Sequence, residues 1–144
     1  IEGVPFKAMP DVVNLDEGRI VDLKTTRDFR KIWSDKVQAY VGFIEAWEYD
    51  IQGAIYRELI RQKTGKVLPF YIAAITREIS PDIELFEIPG DDLDDTLMMI
   101  KSTVGHYSAI KEGYIKPERC GVCDFCKATK KLSAPIDFRE YKWS

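Results

Sequence analysis

Asp11, Asp22 and Lys24 are the residues whose types and spacing bring chemistry closest to hand. Asp22 and Lys24 stand two apart in Ile20-Val21-Asp22-Leu23-Lys24-Thr25-Thr26. In a strand both side chains then leave one face of the sheet and Leu23 leaves the other. The run Met9-Pro10-Asp11-Val12-Val13 reads as a partner strand, with Asn14, Asp16, Glu17 and Gly18 supplying the turn between the two. Pairing across that turn sets Asp11 roughly opposite the Asp22–Lys24 pair. Two carboxylates and an ammonium are costly to bury together without purpose. Two carboxylates are also what a hard cation asks for, since Mg²⁺ usually takes one or two of them plus waters and substrate phosphates. The lysine fits as a point charge beside a scissile phosphate, or as a group orienting an attacking water. A bare D-x-K triplet also decorates ordinary exposed hairpins. Here it comes with Pro10-Asp11 upstream and the apolar lead-in Ile20-Val21.

Two further groups carry potential chemistry. Tyr49, Gln52 and Tyr56 fall at i, i+3 and i+7 of a helical stretch, so Gln52 and Tyr56 lie one turn apart and can act on one partner. The amide both donates and accepts, so it can bridge a bound water or phosphate to the protein. The bland alternative is a pair of boundary residues on an amphipathic helix. Near the end, Cys120-Gly121-Val122-Cys123-Asp124-Phe125-Cys126 overlaps two C-x-x-C spacings and places three thiols within one short turn. That spacing suits Zn²⁺ or an iron–sulfur cluster. Three free thiols packed as small apolar residues would need no metal.

Pro10-Asp11 followed by Asp22-Leu23-Lys24 resembles the signature of the PD-(D/E)xK nucleases. Residues 49–56, Tyr-Asp-Ile-Gln-Gly-Ala-Ile-Tyr, resemble the Q-x-x-x-Y motif of their RecB-like and RecE-like exonuclease branch. The likeness runs along most of the chain and is closest to phage-type, RecE-like exonucleases. The resemblance implies Asp11, Asp22 and the Leu23 carbonyl as metal ligands, Lys24 as the catalytic lysine, and Gln52 and Tyr56 as motif residues of the site. It implies hydrolysis of DNA phosphodiester bonds dependent on Mg²⁺ or Mn²⁺, by an exonuclease in phage-type recombination or DNA processing. DNA is then the partner, beside a recombination partner protein and a second copy of the chain. Relatives in the wider RecB-like group carry an iron–sulfur cluster with three cysteines after the nuclease core and one before it. This tail is similar to the trailing three, with a shorter last spacing. Family members also carry a helix before the first strand, often with a Glu or His facing the metal. The chain opens with Ile1-Glu2-Gly3 and no Met, and reads as a fragment lacking that helix. The competing reading is a non-catalytic DNA-binding or assembly module, or an inactive fragment, on the same scaffold. Another nuclease of this fold, CRISPR-associated or restriction-type, is a third.

The elements that must position these residues follow from periodicity. Strands are expected over 4–13, 19–26, 68–76 and 82–88, with helices near 36–63 and 91–112, giving an α/β fold with a mixed sheet flanked by helices. Ile44, Trp47, Ile51, Ala54, Ile55 and Leu59 recur at helical spacing, with a break near Val41-Gly42 and Gly65 as a C-cap. Residues 27–35 read as irregular, anchored by Phe29 and Trp33. The apolar run Leu68–Ile75 suggests a central strand buried on both faces. Leu93, Leu97, Ile100, Val104 and Tyr107 form the stripe of the second helix, and the acidic residues Asp91, Asp92, Asp94 and Asp95 suit its N-terminus rather than a calcium loop. His106, the only histidine, falls just off that stripe. Residues 1–116 are expected as an N-terminally incomplete nuclease core, and 117–144 as a cysteine-containing tail packed on it.

A length of 144 residues suits one domain able to bury about 70% of its unfolded surface. The longest apolar run, Val67–Ile75, falls far short of the ~20 residues of a membrane helix. Three clustered cysteines argue against a secreted disulfide framework and for a reducing, cytoplasmic setting. A net charge of −3 announces no general nucleic-acid binder, so a DNA site must rely on a local basic rim. Arg27, Arg30, Lys31, Lys127, Lys130 and Lys131 are its candidates.

Overall fold

Strand β2 (Arg19–Thr26) is the axis of the structure, pairing on one edge with β1 (Val12–Asn14) and on the other with β5 (Phe70–Thr76). The computed structural model describes residues 1–132 and 134–141, and places them in two compact units, 1–108 and 109–144. In the first unit the sheet order is β1-β2-β5-β6, where β6 is Ile83–Ile88. β1–β2 and β5–β6 are antiparallel and β2–β5 is parallel, so the sheet is mixed as expected. The short hairpin β3 (Ile32–Ser34) and β4 (Ala39–Val41) forms a separate two-stranded sheet. Helices α1 (Phe43–Ala46), α2 (Tyr49–Thr64) and α3 (Gly90–Lys111) complete this part of the chain, and α4 (Asp124–Ala128) lies in the second unit. No helix among the described residues is long and apolar enough to cross a membrane.

The alternation of β2 decides what lies beneath it. Ile20, Asp22 and Thr26 are buried and Lys24 half-buried, while Arg19, Leu23 and Thr25 are exposed. On the same face Phe70, Ile72 and Ala74 of β5 pack with Ala54 of α2 and with Leu93 and Ile100 of α3 in one core. Burying a side chain the size of Phe70 or Ile72 contributes about 1.5–3 kcal/mol. Helix α2 comes unusually close to the sheet at Gly53, where a Cβ would stand 2.6 Å from the Phe70 ring. Only glycine fits there without displacing the ring. The left-handed Gly65 (φ 73°) ends α2 as the sequence suggests, its N–H donating to the Arg61 carbonyl at 2.8 Å.

Five expectations need correction. The long helix proposed from residue 36 starts later: residues 36–42 hold the β3–β4 turn and β4, and Glu48 in the left-handed region (φ 54°) separates α1 from α2. Trp33 does not anchor the core. It is half exposed, sits edge-on to Tyr40 across the hairpin at 5.3 Å and donates to Asp35. Trp47, just past the end of α1, and Tyr107, last of its stripe, are likewise exposed. The opposite face of β5 is open where burial was expected, since Ile75 is 41% exposed beside Ile83 at 71%. The first strand is also shorter than 4–13, because its pairing begins only at Val12.

The buried face of α2 includes two charged residues that periodicity does not reveal, Arg57 and Glu58. Arg57 donates to the Gly90 carbonyl at 3.1 Å and pairs with Asp94, tying α2 to the start of α3. Glu58 accepts from Arg61 through both oxygens, at 2.7 and 2.9 Å, and from Gln62 at 2.7 Å. These donors, Arg61 first, hold its carboxyl down to about 2 against an ordinary 4.5. A lowered folded-state pKa stabilises the fold above the unfolded value, and that contribution disappears as pH falls from about 4.5 toward about 2. Urea unfolding should therefore find Glu58→Gln less stable than the parent at pH 7, with the gap narrowing below about pH 4.5. A gap that stays constant down to pH 3 would show that Glu58 does not supply the acid sensitivity.

Candidate active site

Asp22 is 2% exposed, in a sheet face whose nearest partner across the ladder is Ile72. A carboxylate in such surroundings is costly unless compensated. Part of the compensation is Lys24, whose Nζ lies 2.5 Å from Asp22 Oδ2. The contact is one of charge alone. It lacks hydrogen-bond geometry, and Oδ2 has no hydrogen-bond partner among the described residues. Lys24 also stands over the ring of Tyr49, 4.5 Å from its centroid, a favourable place for an ammonium.

Asp11 reaches this point from the other strand. The β1–β2 register runs Asn14↔Arg19, Val13↔Ile20 and Val12↔Val21, so Asp11 directly precedes the residue paired with Val21. The ladder ends there, and Asp11 Oδ2 accepts from the Leu23 N–H at 2.8 Å. The carboxylate is thus tied to the peptide between Asp22 and Lys24.

Helix α2 holds the segment in front of Asp11. Gln52 Nε2 donates to the Tyr56 hydroxyl at 2.7 Å, and that hydroxyl donates to the Met9 carbonyl at 3.4 Å. The Tyr56 ring meets Phe70 edge-on at 6.3 Å. The structure therefore brings Asp22, Lys24 and Tyr49 together, ties Asp11 to Leu23, and joins Gln52 and Tyr56 to Met9. Tyr49, named from the sequence only as the start of a row, is the residue that meets Lys24 directly. Its aromatic type at the first helical position is the signal that was available. His106 is exposed and meets its neighbour Tyr107 edge-on, ring centroids 5.9 Å apart. Among the basic residues proposed for a rim, Arg27 is paired with Asp28 at 2.8 Å, while Arg30 and Lys31 are exposed.

In the second unit the three cysteines converge, their sulfurs all within 4.8 Å of one another. Cys123 caps α4, its sulfur accepting from the Cys126 N–H at 3.5 Å, and Cys120 Sγ accepts from the Cys123 N–H at 3.4 Å. The backbone N–H groups of Cys123 and Val122 hold the Cys120 thiol down to about 7. Arg119 braces the loop by donating to the Cys126 carbonyl and to Thr129.

A sheet of this topology with an Asp and a D-x-K pair at its β1–β2 junction defines a PD-(D/E)xK-like fold. The chain belongs to the family of PDDEXK-like domains of unknown function (DUF3799), whose model matches residues 1–129. It is similar to a crystal structure named "Putative exonuclease" from Eubacterium rectale, with 37% identity and a TM-score of 0.67. The likeness covers 83% of this chain and 45% of that one, so the chain spans less than half the length of its neighbour. No curated protein matches the chain.

The Gln52–Tyr56–Met9 relay makes a prediction that needs no activity. Tyr56→Phe keeps the ring on Phe70 and should change stability by about 1 kcal/mol or less. Hydrogen exchange of the Leu23 amide should become faster as the Asp11 segment loosens. The Ile20 amide, held by the Pro69 carbonyl at 3.0 Å, should keep its rate. Unchanged exchange at Leu23 would mean that Tyr56 does not hold the segment.

Proposed function

We propose that this chain carries the catalytic core of a metal-dependent nuclease that hydrolyses DNA phosphodiester bonds as an exonuclease in phage-type recombination or DNA processing. The observation that carries the reading is Asp22: a carboxylate almost wholly buried, whose Oδ2 meets the Lys24 ammonium without hydrogen-bond geometry and has no other donor among the described residues. A purely structural ion pair gains by satisfying both oxygens, since a buried polar atom left unpaired costs about 1–3 kcal/mol. A divalent cation supplies what that oxygen lacks, so the donor set fits one.

Asp11, Asp22 and the Leu23 carbonyl would hold Mg²⁺ or Mn²⁺. When bound, the cation lowers the pKa of its water and offsets charge on the phosphate. The chain's own groups do the rest. Asp11 is steadied through Oδ2 by the Leu23 N–H and offers Oδ1 as a ligand. Lys24, steadied by Asp22 and the Tyr49 face, presents a point charge to the scissile phosphate or orients the attacking water. Gln52 and Tyr56 keep the Met9–Asp11 segment in place and lie within the motif the exonuclease reading rests on. The neighbour's name and the family description support phosphodiester hydrolysis. Exposed Arg30 and Lys31 offer charge for the DNA backbone, with a cytoplasmic setting, a recombination partner and self-association as further parts of the proposal.

The test is Asp22→Asn, assayed on linear DNA with Mg²⁺ or Mn²⁺ in the intact protein. Asparagine keeps the shape and removes the ligand charge, so circular dichroism should be unchanged while turnover falls by more than about 10²-fold. Cleavage at the parental rate would place the chemistry elsewhere.

A further inference from the structure

We propose that Cys120, Cys123 and Cys126 form a thiolate site for a single tetrahedral soft metal ion, Zn²⁺, independent of the nuclease chemistry. Three observations support it. The Cys120 and Cys126 sulfurs stand 3.8 Å apart, and all three sulfurs lie within 4.8 Å of one another. Tetrahedral geometry with Zn–S of about 2.3 Å sets its ligand sulfurs about 3.8 Å apart. An iron–sulfur cube accepts the same C-x-x-C-x-x-C spacing, but each thiolate there binds a different iron, which holds the sulfurs farther apart than this. Finally, backbone N–H groups point at two of the sulfurs: Cys123 N–H at Cys120 Sγ and Cys126 N–H at Cys123 Sγ. N–H donors to the sulfurs are outer partners of the kind that orient metal ligands.

The loop that carries the cysteines is also braced. Arg119 donates to the Cys126 carbonyl at 2.8 Å and to Thr129 Oγ1 at 2.9 Å, fixing the loop around its only buried cysteine. Gly121 takes the left-handed conformation (φ 79°) that turns the chain between the first two cysteines. A disulfide would use two thiols and strand the third. Packing as small apolar residues does not account for two of them being exposed. Three thiolates leave one tetrahedral position to solvent, as in zinc sites that keep an open position.

The experiment uses Zn²⁺ and Co²⁺ alone as probes on the purified protein. About one Zn²⁺ per chain should be found by elemental analysis after metal-free protein is reloaded. Co²⁺ should give the intense visible bands of a tetrahedral ion together with a thiolate charge-transfer band. Cys126→Ser and Cys120→Ser should each weaken Zn²⁺ binding by more than about 10²-fold, beyond the 10–100-fold typical of losing an outer partner. If a serine variant fails to fold, the cobalt spectrum of the parent still decides the matter. A brown chromophore with acid-labile sulfide would overturn the single-ion site in favour of a cluster. Protein that binds neither ion, or Co²⁺ bands without thiolate charge transfer, would overturn it outright.

Discussion

The structure turns on one compensated charge. Asp22 sits on the core-facing side of β2, with apolar Ile20 two residues before it in the strand and Ile72 opposite it in β5, and the parallel β2–β5 pairing fixes it there. Moving Asp22 to the outer face would require a slip of one residue, which would also expel Ile20 and Thr26 from the core. The hydrophobic register that folds the sheet therefore also enforces the burial of the carboxylate. Lys24 offsets the charge from the same face but leaves one oxygen without a hydrogen-bond donor among the described residues. Stability alone does not ask for this arrangement, because buried ion pairs rarely outperform well-packed apolar residues.

The rest of the first unit brings side chains to that point. Gly53 lets α2 approach the Phe70 ring, and this closeness carries Tyr49, Gln52 and Tyr56 to the strand ends. Tyr49 meets Lys24, and Tyr56 reaches across to Met9. Arg57, one turn further along α2, fixes its position through Gly90 and Asp94 at the start of α3, while Glu58 is satisfied within the helix by Arg61 and Gln62. Phe29, Phe43 and Phe86 meet in a set of tilted and edge-on ring contacts, which ties the segment after β2 and helix α1 to β6.

Much of this was legible in the sequence because strand alternation and helical spacing are strong signals over long runs. The β1–β2 hairpin, the shared face of Asp22 and Lys24, strands β5 and β6, helix α3 and the Gly65 cap all follow from them. Residues 36–42 did not, because a three-residue strand is too short to display a period and its apolar residues also fit the helical stripe that follows. Trp33 was misplaced for a related reason: its partner Tyr40 faces it only once the β3–β4 hairpin exists. The burial of Arg57 is not legible locally, because a buried charge needs partners and Gly90 and Asp94 lie more than thirty residues away. That Asp11 meets the Leu23 amide through its side chain, instead of lying within a first strand over 4–13, also depends on where the ladder stops.

The central claim is that the Asp22 oxygen without a donor faces a divalent cation shared with Asp11. Its most direct test is to soak crystals of the protein with Mn²⁺ and locate the ion by its anomalous scattering. The account predicts a peak within bonding distance of both the Asp11 and Asp22 carboxylates, lost in Asp22→Asn. A site left empty at saturating Mn²⁺, with Asp22 still paired to Lys24 alone, would contradict it.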